Sequence, residues 1–464
     1  MPTVALNLGL QSNPARHTSA GSARIYNLYV EPGGEESSAP AALWPVAGLA
    51  SWATLTGGGG IRAMLATASY LYVVAGRVLY RVDSSGTSTA IGGIPTDGPV
   101  FMARNRAEPE PEIGIVSDGL YWVVTGASLV ENVDTDLPPA SSIDVLNGYF
   151  ILPGYAGVFY ISDADDATSI APGDFASAES LPDNIVRVAT RESELVIFST
   201  DSTEWWQDVG ASFPFQRVQT AGLGCLAARS VARLDRTLIW VAPDFTVREM
   251  AGYGGKVIST YAVARDIEDE TDKAGITATA WAEAGHWFYA LSGTGWTWVY
   301  DATTGKWHQR QSYGAARWRC NHVVTFAGMT LAGDKDSGTI YRMSRATHAE
   351  GSDPLVTEII APAAKAFPSD IIVDRLTLRT VTGTGLVPGD SATSEPVVMV
   401  QMSRDGGATF GTARHLSLGR RGDRTKVVES YRWGKAQSAV FRFTASAAVA
   451  RGFLEASIDY TPVK

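Results

Sequence analysis

Charge and sulphur are both scarce in this chain. Charged residues make up 19% of its 464 residues, below the roughly 25% of an average globular protein. Cys225 and Cys320 are the only cysteines. One bridge at most can form between them, so the chain is not a disulfide scaffold, and a reducing compartment is the simpler expectation. Histidine is also rare, with six in all, and none stands in an HxxxH or HExxH spacing. Cys320 and His322 share one face of a strand, which is two ligands short of a zinc centre. Walker loops and Gly-x-Ser-x-Gly elbows are missing too. No apolar run approaches the roughly 20 residues that span a bilayer. The opening MPTVALNLGLQSNPARHTS lacks the basic and apolar regions of a secretory leader. The expectation is a soluble chain made in the cytoplasm, with no cofactor, no metal and no membrane in the free protein.

Long Leu/Glu/Lys runs are absent as well, whereas the chain holds Gly 47, Trp 13 and Tyr 17. This composition favours short strands and turns over helices. The formal net charge of -10 opposes a protein that grips nucleic acid through a basic face. A local basic run, Arg420, Arg421, Arg424 and Lys426, is read as decoration on an exposed strand pair.

One pattern recurs: a short alternating strand, a turn, then a strand rich in Tyr, Trp and Val. In IRAMLATASYLYVVAGRVLYRVDSSGTSTAIG, Tyr70, Tyr72 and Tyr80 alternate with period two, and Gly76 and Gly86 supply turns. Roughly seven such units of about 30 to 45 residues fall between Ile61 and Met343, the rhythm of β-propeller blades. In TWVYDATTGKWHQR, Gly305 supplies the turn, and Trp298, Tyr300 and Trp307 are expected to pack between blades. Trp205 and Trp206 precede a turn, and at least one should pack the same way. Beyond about Glu350, Gly/Ser/Pro-rich connectors separate longer alternating strands, as in an antiparallel sandwich. The predicted architecture is all-β. It has an N-terminal arm (residues 1–55), an irregular β-propeller of about six to eight blades (56–350), and a C-terminal β-sandwich-like domain (351–464).

Three constellations invite a chemical reading. SRDGGATF, Ser403 to Phe410, resembles the Asp-box hairpin of sialidases, in which Asp405 would hold a turn by bonding backbone amides. ISDADD (Asp163, Asp165, Asp166) lacks the Gly and distal Glu of a calcium loop and reads as a solvated loop, and RDIEDETDK reads as a polar linker or an exposed turn between blades. Glu204, Glu283 and Asp301 are available carboxylates, but no spacing pairs two of them in a cleft as a glycosidase requires. A carbohydrate-binding or glycan-degrading propeller is one reading of these features, and a protein-binding cytosolic propeller another.

Ordered stretches carry a more specific signal. These are QSNPARHTSAGSARIYNLYVEP, the long block PGDFASAESLPDNIVRVATRESELVIFSTDSTEWWQDVGASFPFQRVQ, GHWFYALSGTGWTWVYDATTGKWHQR and VMVQMSRDGGATFGTARHLSLGRRGDRTKVVESYRWGKAQSAVFRFT. Together, from about Leu6 to Tyr460, they resemble the packaged-DNA-stabilisation or tail-nozzle family of short-tailed bacteriophages. Relatives often carry Trp where this chain has Phe410. The resemblance implies a structural virion protein without enzyme activity. Six copies would form a ring below the portal and its adaptor, extending the channel that retains packaged double-stranded DNA and guides its ejection. Implied partners are other copies in a hexamer, adaptor and portal-side connector proteins, and distal tail needle, fibre or spike proteins. DNA would pass without sequence-specific binding. Assembly contacts are expected from the N-terminal arm (Asn13, Arg16, Arg24, Tyr26) and the charged segment Arg265, Asp269 and Lys273.

Overall fold

A computed structural model describes residues 3–35, 39–132, 137–171, 173–178, 183–387 and 389–463. Among the described residues, seven antiparallel blades follow one another in sequence. Five are separate four-stranded sheets, covering 61–93, 100–132, 144–177, 185–221 and 232–257. The sixth (277–309) and seventh (320–344) belong to larger sheets. Seven hydrophobic clusters fill the seven interfaces between neighbouring blades and so close the ring.

The alternation in the sequence has a physical purpose here. Successive strand residues point to opposite faces, and in a propeller both faces of a blade are covered by neighbours. Trp205 and Trp206 are consequently both buried, on opposite sides of blade four. Trp205 packs towards blade five against Tyr253 at 5.5 Å, and Trp206 towards blade three against Phe159 at 5.2 Å. In blade six, Tyr300 pairs with Trp307 and Trp298 with Gln309 across the hairpin. Gly305 turns it at φ +67, and all three aromatics are buried.

Residues 3–54, expected as a lead-in arm, are divided among the other parts of the fold. The strand Gly48–Thr54 pairs with Thr339–Ser344 and supplies the outer strand of blade seven, so the ring is fastened by its two ends. The strands Leu28–Pro32 and Ala41–Pro45 join Phe453–Val463, Asp370–Thr380 and Val428–Ala436 in one sheet of the C-terminal sandwich, and Thr3–Leu6 also pairs with Phe453–Val463. The facing sheet holds Thr357–Ile360, Val440–Ala445, Val397–Ser403 and Arg414–Ser417. Leu28, Ile371, Leu376, Phe441 and Ile458 lie in the core between them. The short strand Arg24–Tyr26 bridges the two bodies. It pairs in parallel with blade six at Tyr26–Gln309 and antiparallel with Thr357–Ile360, making one nine-stranded sheet.

The acidic run after Arg265 is not a plain linker. Tyr261–Glu268 is a helix capped by Thr260, and it buries Ala262, Val263 and Ile267 between blades five and six. Exposed Glu268 and Asp269 mark only its outer side.

Candidate functional site

The helix, the bridging strand and the top of blade six enclose a cleft of about 450 Å³. Three of the sequence-selected residues line it, Arg24, Tyr26 and Arg265, together with Asp266, Trp296 and Gln309. Each is placed by a different device. Arg24 and Tyr26 alternate on the bridging strand and are joined by a 3.0 Å bond from the guanidinium to the phenol oxygen. Arg265 reaches from the helix to the Pro14 carbonyl at 3.4 Å. Asp266 accepts the Trp298 indole N–H at 2.9 Å, and burial raises its carboxyl above the usual range, against the pull of Arg265 and Arg24. Behind them Arg310, fully buried, donates to the Ala47 carbonyl at 2.8 Å and lies 3.9 Å over the Trp318 ring.

The other selected residues stay outside the cleft. Asn13 and Arg16 are exposed on the loop before the bridging strand. Asp269 is the exposed C-cap of the helix. Lys273 donates to the Glu270 carbonyl at 2.8 Å and sits 5.5 Å over Phe245. Trp296 and Gln309 were not singled out by the sequence, because both read as parts of a packing hairpin.

The remaining constellations resolve into turns and supports. Asp405 accepts from the Ser403 hydroxyl at 2.6 Å, the Thr409 amide at 2.9 Å and the Thr409 hydroxyl at 2.7 Å, and these bonds hold its carboxyl well below the usual range. The turn glycines Gly406 and Gly407 pack on Ser19 and Ser22 of the N-terminal segment, and Arg442 lies 4.2 Å over Phe410. Asp163 and Asp166 bond Ser169 and Thr168 within their own loop. Asp301 bonds His286 at 2.8 Å and Thr304 at 2.8 Å. Glu204 is buried in blade four, accepting from Trp206 and pairing with Arg217 at 3.1 Å. The basic run lies on the loop between Arg414–Ser417 and Val428–Ala436, where Arg420 pairs with Glu395 at 3.1 Å. Among the described residues no group of three or more His, Cys, Asp or Glu side chains could hold a metal ion. No described helix is long and apolar enough to cross a membrane.

The geometry defines an all-β propeller joined to a sandwich, with its polar side chains committed largely to turns and blade interfaces. The family described as bacteriophage P22 Gp10, beta-propeller, matches residues 27–348, and its beta-sandwich counterpart matches residues 357–461. The chain belongs to this family, the tail-nozzle and DNA-stabilisation proteins of short-tailed phages. It is thus a structural phage protein of the virion.

Comparison with curated protein sequences returns no match. Among solved structures, the chain is similar to the WD40 propeller domain of Doa1 at 13% identity and TM-score 0.42, covering 64% of this chain and 97% of that one. It is similar to the computationally designed Ika8 protein at 13% identity and TM-score 0.39, covering 73% and 99%. Chaetomium thermophilum Raptor gives 12% identity and TM-score 0.43, covering 65% and 29%.

Proposed function

We propose that six copies of this chain form the tail nozzle ring below the portal and adaptor, extend the DNA channel, retain packaged DNA and guide its ejection. The observation that supports this is the ordered match of both the propeller and the sandwich to one family of phage tail proteins. A ring of identical subunits needs heterologous contacts that close by rotation, and rigid blades joined to a sandwich present such contacts on a fixed frame. The formal charge of -10 suits a conduit, since a negative wall repels phosphate and lets a duplex slide without sequence-specific binding. In this reading the N-terminal segment and the Arg265–Lys273 segment meet neighbouring subunits or the adaptor, and distal needle, fibre or spike proteins attach at the far end. Synthesis takes place in the host cytoplasm and residence is in the virion tail.

The test is the mass of the purified protein in solution by light scattering, alone and with the adaptor ring. A hexamer, or a monomer that becomes a sixfold ring on the adaptor, is the expected result. A monomer indifferent to any portal-side protein would overturn the reading and turn attention to glycan binding.

A further inference from the structure

We propose that the cleft between the helix Tyr261–Glu268, the strand Arg24–Tyr26 and blade six is a carboxylate-binding site, built to anchor an acidic side chain on an extended segment of a neighbouring protein subunit. Four observations lead there. The cleft holds about 450 Å³, within the size range of sites that enclose a ligand group. Arg24 and Arg265 line it, and neither forms an ion pair within 4.0 Å among the described residues, their only side-chain bonds going to Tyr26 and the Pro14 carbonyl. Gln309, only 8% exposed, lines the same cleft with a side-chain oxygen that has no hydrogen-bond partner. Trp296 adds an aromatic wall.

A buried amide without a partner costs stability unless something completes it. The orphaned atom is an acceptor, so an incoming carboxylate completes this amide only once it turns end for end and offers its NH₂; the two guanidinium groups supply paired N–H donors, the chemistry that recognises carboxylate best, and the turned Gln309 NH₂ donates to the second oxygen. One carboxylate, Asp266, already lines the cleft; it accepts from Trp298 and still offsets one of the two arginine charges. Arg310 brings no net charge, because Glu350 lies 3.8 Å from it. Glu358, beside Tyr26 in the sheet, stays outside the lining, where it accepts from Thr444 at 3.2 Å and attracts Arg442 and Arg24. With Arg310 balanced by Glu350, Arg24 and Arg265 outnumber Asp266 in the lining by one positive charge.

DNA phosphate is also an anion that arginine recognises. A duplex is a stiff rod much wider than this cleft, so its phosphates meet only the rim, whereas a Glu or Asp side chain on an extended peptide reaches Gln309. The inference deepens the assembly reading by naming the partner's chemistry. Its test uses free peptide on the isolated full-length chain and does not require a ring.

Calorimetric titration at low salt with acetylated, amidated tetraglutamate should give saturable one-to-one binding that weakens as salt rises. Arg24→Gln and Arg265→Lys should each lower the affinity about tenfold, the effect of losing one charge-assisted contact. Melting curves matching the original chain check that both variants fold, and Arg24→Gln, at a half-exposed site, serves if Arg265→Lys does not. Absence of peptide binding, or binding untouched by either substitution, overturns the proposal. So does equal or tighter binding of inorganic phosphate or of a twelve-base-pair duplex, which would make the cleft a general anion or DNA contact.

Discussion

Trp298 donates its indole N–H to the Asp266 carboxylate across 2.9 Å, and this one bond ties the inter-blade helix to the floor of the arginine cleft. Trp298 is fully buried and Asp266 half-buried, so the bond is shielded from water on the indole side. Replacing Trp298 by Phe removes the donor and leaves a half-buried acid without it. The expected loss is about 1–3 kcal/mol, measurable by chemical denaturation.

The same carboxyl gives a pH signature. Burial raises its folded-state value above 3.8, so the proton is held more tightly folded than unfolded. Its contribution is present below the unfolded value and is lost as pH rises through the folded one. Asp266→Asn has nothing to lose there. Stability of the variant relative to the original chain should therefore climb as pH rises above 3.8, and a difference that stays flat with pH would refute the assignment.

Ring closure depends on close backbone contact beside blade one. A methyl group at Gly60 would lie 1.6 Å from the Lys335 carbonyl oxygen in blade seven. Backbone must shift to admit it, so Gly60→Ala should cost about 1–3 kcal/mol or more. Gly34→Ala is the control, since nothing lies within 4 Å of its added carbon. Equal melting temperatures for the two would show that blades one and seven do not meet in this way.

In the sandwich, Asp405 fastens its turn through the Thr409 amide. Asp405→Ala should speed hydrogen exchange at that amide while leaving the blades unchanged. Because the folded-state value of Asp405 is depressed, this support is complete above 3.8 and is lost progressively as pH falls below it towards the lower folded-state value. Exchange at Thr409 that is the same with and without the carboxylate would remove its structural role.

The two thiols should be silent. Cys225 and Cys320 are free and buried, and desolvation pushes Cys225 up to about 12 and Cys320 well above its ordinary value. A thiol reagent at pH 8 should modify neither until denaturant unfolds the chain. Rapid labelling of either without denaturant would contradict the packing of blades four to seven around them.

Much of this architecture was legible because each blade signals itself locally. The hairpin from Thr297 to Gln309 places strand, turn and aromatics within a few residues, and its register follows from Gly305. The closing strand Gly48–Thr54 was not legible. Its partner, Thr339–Ser344, lies far along the chain, and GLASWAT has no strong alternation to announce a strand. The helix Tyr261–Glu268 hid behind the acidic run that follows it, although Thr260 as N-cap and the Val263/Ile267 spacing of four were present as signals. Arg24, Tyr26 and Arg265 were selected through family resemblance. Their meeting in one cleft depends on a long-range strand pairing that no local pattern encodes, and for Gln309 the sequence holds no signal at all.

The bridging strand Arg24–Tyr26 has a mechanical consequence. It is paired on one edge with the propeller and on the other with the sandwich, so separating the two bodies pulls across the strand, directly on its inter-strand hydrogen bonds. There is no loose hinge at that point to absorb the strain. A push delivered to the sandwich is passed to blade six, and from there through the closed ring, as by a single lever arm.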